Sequence, residues 1–287
     1  LPQSANIYLR PIISASRRTD LPAFYGEWLQ AQVRQGYVEL PQPFSRRIRR
    51  VDLNPAAVGA WVFWSKNYQP FLSTLDFLAG VYHHRFLFHY TLNGFHAEAA
   101  RLLEPGVPPA EISLATLKEL LSRFGRECIS WRFDPIIFSN LTPYTERLET
   151  FKILAEKLCD LVGRCHISFV DLYGKVARRL RAVESRGGLY CQKPSLAEQV
   201  AFAEELRRTA QALRMPLYTC CEDAIGAQAG ITPGHCIDAI LLQELYPGVV
   251  LEAELRPTRH GCGCYKSIDI GQYNTCRHAC LYCYACR

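Results

Sequence analysis

A chain of 287 residues that is 49% hydrophobic and 21% charged can build an ordinary core, which excludes disordered and collagen-like classes. No apolar run reaches the about 18 to 20 residues needed to span a bilayer, and residues 1–18 hold no apolar signal-peptide region, so a cytoplasmic globular protein is expected. The net charge of +6 would point to nucleic acid only if clustered; Arg46, Arg47, Arg49 and Arg50 form one run and Arg178, Arg179 and Arg181 another, and a solvated surface is the simpler account of both.

The first predicted strand, 11–15, begins a series of β-branched and aromatic runs, and it leads into the polar stretch Ser14, Ser16, Arg17, Arg18, Thr19 and Asp20. A helix is predicted over 23–35, and residues 36–54, with Pro41, Pro43 and the arginines, read as a loop or β-hairpin over the edge of the fold. A strand at 60–65 then ends in Lys66 and Asn67, a helix follows at 71–79, and a strand at 85–91 ends in Thr91 and Asn93. Next come a helix at 110–124, a strand at 128–133 with Arg132 and Asp134, a helix at 144–162, and a strand at 165–170 with Ser168 and Asp171. Helices at 175–185 and 196–213 and a strand at 216–219 complete the pattern, which degrades after Thr219.

Alternation of this kind makes a parallel sheet with crossover helices. The expected fold is α/β: a partial or permuted (β/α) TIM-like barrel of about six parallel strands over 1–219. Residues 220–287 are expected to form a cysteine-rich iron-sulfur extension packed on the barrel mouth. Polar residues at the carboxyl ends of such strands converge on that mouth, where these folds place chemistry.

Of 13 cysteines, Cys262, Cys264, Cys276, Cys280, Cys283 and Cys286 fall in the last 26 residues. With no export signal and an adequate core, metal binding is a better reading than a disulfide framework. Cys276, Cys280 and Cys283, at spacings of four and three, can hold three irons of a 4Fe-4S cube and leave the fourth without a protein ligand. S-adenosylmethionine can chelate such an open iron, and electron transfer into its sulfonium gives a 5'-deoxyadenosyl radical. Cys220, Cys236, Cys262 and Cys264 make a second thiol set, fit for an auxiliary 4Fe-4S cluster or a structural zinc, with Cys221 the alternative to Cys220. Cys128, Cys159, Cys165 and Cys191 sit singly as core residues, and Cys286 reads as redundant.

The CxxxCxxC with Tyr282 before its third cysteine resembles the signature of the radical S-adenosylmethionine superfamily. The segments 13–20 and 63–67 and the tail from Cys262 through Ala285 resemble, over nearly the whole chain, an uncharacterised bacterial family of radical-SAM-like proteins whose cysteine motif lies at the C-terminus. In the superfamily the cluster loop follows the first barrel strand. With residues 268–273 entering the barrel as that strand, the resemblance implies a permuted fold. No Gly-Gly-Glu follows the second strand, and the polar 14–20 turn stands in its place.

The resemblance implies an enzyme that reductively cleaves S-adenosylmethionine at Cys276, Cys280 and Cys283, with an auxiliary cluster. Its electron donor would be a flavodoxin or ferredoxin, and its substrate a small molecule rather than nucleic acid or membrane. For the cofactor carboxylate, guanidinium groups suit best: Arg17, Arg18 and Arg132. Asp20, Asp134 and Asp171 are candidates for its ribose and amine, and Ser14, Ser16, Lys66, Thr91, Ser168 and Tyr282 complete the cofactor-binding set. The alternative is a non-enzymatic zinc or iron-sulfur module with nucleic-acid contacts.

Overall fold

A computed structural model describes residues 9–41 and 47–286; Pro43 and Arg46, part of the hairpin reading and of the basic run, lie outside the described residues. The first half of the chain forms β1 (Ile12–Ala15), α1 (Leu21–Phe24), α2 (Gly26–Gln35), β2 (Tyr37–Pro41), β3 (Ile48–Asp52), β4 (Ala60–Ser65), α3 (Leu72–Tyr82), β5 (Phe86–Thr91), α4 (Ala97–Leu103) and α5 (Ala110–Phe124). The second half adds β6 (Ile129–Ile136), α6 (Tyr144–Leu158), β7 (Arg164–Phe169), α7 (Gly174–Glu184), α8 (Leu196–Ala212), β8 (Leu217–Thr219), α9 (Asp223–Ala229), β9 (Thr232–Pro233), α10 (Ala239–Leu245) and β10 (Ser267–Asp269).

Eight strands pair in the order β10-β1-β4-β5-β6-β7-β8-β9, every neighbour parallel, and β2 and β3 form a separate antiparallel hairpin within 36–54. The expected α/β class is present, with eight strands in the sheet rather than about six. The two further strands are β9, of two residues and too short to leave a periodic signal, and β10, of three, which overlaps the start of the 268–273 segment expected to enter the sheet. Both come from the stretch after Thr219, so that stretch is built into the sheet as well as packed against it.

Among the described residues no ladder joins β9 to β10. The space between these edges is bridged by residues 251–266. Leu255 pairs antiparallel with Tyr265, Tyr265 N donates to Ile237 O at 3.0 Å, and the chain then runs directly into β10.

Strand alternation sorts the side chains onto two faces. On one, Ile13, Ala15, Trp61, Phe63, Phe88 and Trp131 pack on helix residues such as Leu29, Leu75, Leu117 and Phe151. Full burial of each large side chain there contributes about 1.5–3 kcal/mol. On the other, Ile12, Ala60, Val62 and Leu87 meet Leu241 and Leu242 of α10, and further along the strands this face turns polar, with Ser14, His89, Ser130, Arg132, His166 and Ser168 all buried. No helix among the described residues is long and apolar enough to cross a membrane.

Candidate functional site

The turn after β1 is organised by a carboxylate from the far end of the chain. β10 lies beside β1 with Ile13 opposite Ile268, which brings Asp269 to the turn. Asp269 accepts from Ser14 Oγ at 3.1 Å, Ser16 Oγ at 2.8 Å and the backbone N–H groups of Arg17 at 2.8 Å and Gly271 at 2.9 Å. The Arg17 and Arg18 Nε atoms stand 3.9 and 4.0 Å from it. Position 271 needs glycine, because a Cβ there would fall 2.0 Å from Ser16 Oγ.

The segment following β10 carries Cys276, Cys280 and Cys283 across the carboxyl ends of β1, β4 and β5. Thr275 bonds Thr19 Oγ1 at 2.9 Å and accepts, through its carbonyl, from the Tyr25 hydroxyl at 2.6 Å. The buried His278 ring bridges Asp20 Oδ2 at 2.9 Å and Gly106 O at 2.8 Å, and it packs on Phe24. Gly106 N donates back to His278 O at 3.0 Å, an approach so close that a Cβ on residue 106 would lie 2.9 Å from His278 Cα. Asp20 also caps α1 through Ala23 N at 2.9 Å and accepts from Ser65 Oγ at 2.7 Å and Lys66 N at 2.9 Å. One carboxylate thus ties β1, α1, β4 and the cysteine segment together.

Past Cys280 the segment is held by a second network. Leu281 N donates to Leu103 O at 3.0 Å, and the Tyr282 hydroxyl bonds Glu104, which also pairs with Lys66 Nζ at 2.8 Å and accepts from Asn93 Nδ2 at 2.9 Å. Burial is the largest influence on the Lys66–Glu104 pair and opposes both charges, but their mutual attraction, joined by Cys280 and Asp134 at the lysine and by the Tyr282 and Asn93 bonds at the carboxylate, leaves the lysine raised and the carboxyl lowered from their ordinary values. Arg179 donates to Cys283 O, Tyr284 Oη to Arg17 O at 2.6 Å, and Asn274 N to Ala285 O at 2.9 Å. The tail is therefore folded back on itself, and Cys286, read from sequence as redundant, joins the other thiols: its Sγ bonds the Cys283 thiol and lies 3.7 Å from Cys276 O. Bonds from Cys286 and from backbone N–H groups bring Cys283 down to about 6 against the effect of burial, while burial pushes Cys276 up to about 11 and Cys280 higher.

The second thiol set gathers where the ends of β8 and β9 meet the 251–266 segment. Cys220 and Cys236 Sγ atoms are 3.2 Å apart, and the bonds among the thiols run on from Cys236 to Cys264, from Cys264 to Cys262, from Cys262 to Cys221 and back to Cys220. Cys221 is thus a fifth member beside the four expected. Arg132 donates from Nη1 to Cys236 Sγ at 2.9 Å and from Nε to Asp134 Oδ2 at 2.9 Å, with its guanidinium over the Trp64 ring. Arg259 Nε lies 3.0 Å from Cys221 Sγ. His89 bonds Cys236 O at 2.6 Å and His166 bonds Ser130 Oγ at 2.8 Å. Burial, reinforced by Arg132, drives both imidazoles far down, His166 to about 3, so this face carries neutral rings.

The fold therefore distributes the expected cofactor-binding residues over three places. Ser14, Ser16, Arg17, Arg18, Asp20, Lys66 and Tyr282 adjoin the first thiol set. Arg132, Asp134 and Ser168 form a chain beside the second, Ser168 Oγ bonding Asp134, and Thr91 pairs with Arg132 across β5 and β6. Asp171 sits apart, half exposed, with Arg259 and Tyr173. Of the basic runs, Arg50 stacks on Tyr37, Arg179 serves Cys283, and Arg178 and Arg181 are exposed.

Among the described residues no group of three or more His, Cys, Asp and Glu side chains is arranged around a common point as ligands of one metal ion. The donors in each set are thiols alone, which is the ligand chemistry of iron-sulfur clusters and of zinc. A cube distributes its thiolates over separate irons, and the thiol-only chemistry of the two partly buried sets, the second with Arg132 on the Cys236 sulfur, is compatible with that anionic group. A family model described as Domain of unknown function (DUF1848) matches residues 12–285. No curated protein matches the chain.

Proposed function

The chain belongs to the DUF1848 family, a domain of unknown function, and we propose that it is a radical S-adenosylmethionine enzyme with one cluster at Cys276, Cys280 and Cys283 and an auxiliary 4Fe-4S cluster at Cys220, Cys236, Cys262 and Cys264. One observation carries the reading: the CxxxCxxC segment follows directly on β10, and β10 is the parallel neighbour of β1. In that position the thiols overhang the carboxyl ends of the strands, as a cluster loop after a first barrel strand would. We read the sheet accordingly as a permuted (β/α) barrel whose seam is filled by residues 251–266.

Bound to these thiolates together with S-adenosylmethionine, a 4Fe-4S cluster would supply one electron to the sulfonium, breaking a carbon–sulfur bond to release methionine and a 5'-deoxyadenosyl radical that takes a hydrogen atom from substrate. The chain's own residues set the geometry. Arg17 and Arg18 share the single Asp269 carboxylate, which leaves one positive charge in excess to receive the cofactor's carboxylate. Asp20 and Glu104 are occupied by backbone and side-chain donors, so they position the cysteine segment through His278 and Tyr282. Arg132 offsets thiolate charge at the second set rather than binding the cofactor. A flavodoxin or ferredoxin supplies electrons in a reducing cytoplasm, and a small molecule is the substrate.

The test is anaerobic reconstitution with iron and sulfide. About eight irons and eight sulfides per chain are expected, falling to about four of each when Cys276, Cys280 and Cys283 are all changed to Ala. Reduced holoprotein should convert S-adenosylmethionine to 5'-deoxyadenosine. Stoichiometric zinc without sulfide, or a loaded protein that leaves S-adenosylmethionine intact, refutes the reading and favours a structural or electron-transfer module.

A further inference from the structure

Cys286 belongs to no strand or helix. Its backbone neighbour Ala285 is pinned by Asn274, and Tyr284 is pinned to Arg17 O, so the chain delivers the Cys286 thiol to the rim of the first set. There it bonds Cys283 and lies against the Cys276 carbonyl, giving the segment four converging thiols at spacings of four, three and three. It is half-buried, whereas Cys280 is fully buried, so of these two it is the one that solvent or a ligand can reach. A fourth thiol here bears directly on reactivity, because an iron with four protein ligands around its cube has no place for a cofactor.

Resting on the radical S-adenosylmethionine reading, we propose that Cys286 is a displaceable fourth ligand: it closes the first cluster while S-adenosylmethionine is absent and yields its iron when the cofactor binds. The exchange transfers no electrons. One iron–sulfur bond breaks, bonds from the iron to the methionyl amine and carboxylate form, and the proton lost by the ammonium group goes to the released Cys286 thiolate. The cofactor carboxylate arrives beside Arg17 and Arg18, whose excess positive charge favours it. Residues 284–286 belong to no strand or helix, so the released thiol can move aside without disturbing one. In this arrangement the reactive iron is shielded from adventitious ligands and oxidants until the cofactor is present.

The experiment uses anaerobically reconstituted full-length chain, wild type and Cys286→Ala, with Cys286→Ser as the conservative companion. Low-temperature electron paramagnetic resonance of the dithionite-reduced protein is recorded with and without S-adenosylmethionine. The signal of the second set is taken from the Cys276→Ala/Cys280→Ala/Cys283→Ala chain and subtracted. Without cofactor, the first-cluster spectra of wild type and Cys286→Ala should differ; with cofactor they should coincide. Removing a ligand that occupies the iron in about nine molecules of ten should also tighten cofactor binding about tenfold. Identical cofactor-free spectra and equal affinities overturn the proposal while leaving the enzyme reading intact. Loss of the first cluster from both Cys286 variants also overturns it, since Cys286 would then be a permanent ligand. A wild-type spectrum indifferent to S-adenosylmethionine is the distinct outcome that overturns the enzyme reading as well.

Discussion

Changing Asp20 to Asn removes one charge and leaves the shape of the side chain, and its cost follows from the four bonds the carboxylate accepts. Asn presents one oxygen and one NH₂ group, and the NH₂ group cannot accept. The cheaper orientation puts nitrogen at the Oδ1 position, where Ser65 Oγ can turn to accept and only the cap on Ala23 N is lost, a cost of about 1 kcal/mol. The bonds from Lys66 N and His278 Nε2 then go to a neutral oxygen, losing about 0.5–1.5 kcal/mol each. Together the loss is about 2–4 kcal/mol. The other orientation strips Lys66 N and His278 of their acceptor altogether and costs more. Urea denaturation of the thiol-reduced, cluster-free chain, followed by circular dichroism, measures the loss, and His278→Ala with the double variant completes a cycle. A coupling of about 1–3 kcal/mol between the two sites is expected. A loss below about 0.5 kcal/mol for Asp20→Asn, or additive effects of the two changes, would refute the argument that this carboxylate anchors the cysteine segment.

Three further outcomes are expected. Gly106→Ala forces a methyl group to within 2.9 Å of His278 backbone atoms, which should cost about 1–3 kcal/mol and reduce iron retained at the first thiol set but not the second. Arg132→Met strands Asp134 and the Cys236 sulfur without their cation; it should destabilise the chain by about 3 kcal/mol, the lower end for a broken buried pair because Asp134 is partly exposed, and iron analysis should show selective loss from the second set, with Asp134→Asn recovering part of the stability. Burial raises Glu222 from 4.5 to about 7, so between those values the folded chain holds a proton that the unfolded chain has released, and stability falls as pH rises through that window. Glu222→Gln keeps the acceptor for Phe169 N and should flatten the decline, which melting temperatures measured across the window will show.

The elements with a strong local period were legible in the sequence. The strand expected at 60–65 and the helix expected at 110–124 have those bounds, and the other principal strands and helices shift at their ends, as where 144–162 stops at Leu158. The helix expected over 23–35 is two, because Asp20 caps a first turn that ends at Tyr25. The seven-residue helices α4, α9 and α10 were missed because two turns are too few to establish an apolar stripe, and they are held by tertiary packing instead. The cysteine motif stood out because its spacing is local. Asp269, Glu104 and Asn93 did not, because each acquires its partners from distant segments: Asp269 lies 255 residues from Ser14 and Glu104 lies 38 from Lys66. Strand position placed Arg132 at the right end of the sheet but could not tell which thiol set it would face. The sequence signal for Cys286 is that it repeats the interval between Cys280 and Cys283.

The pairing of β1 with β10 also imposes a schedule on the chain's birth. At about 5–20 residues per second, a ribosome needs roughly 13–50 seconds to make the 255 residues separating Ser14 from Asp269. Throughout that interval the nascent sheet has a bare edge at β1, a template for strand addition by another chain. β10 covers that edge and the segment directly after it carries Cys276, Cys280 and Cys283, so a message truncated before β10 yields a product with neither a finished sheet nor a first thiol set. The first thiol set, Cys276, Cys280 and Cys283, is thereby assembled only on chains already translated past β10.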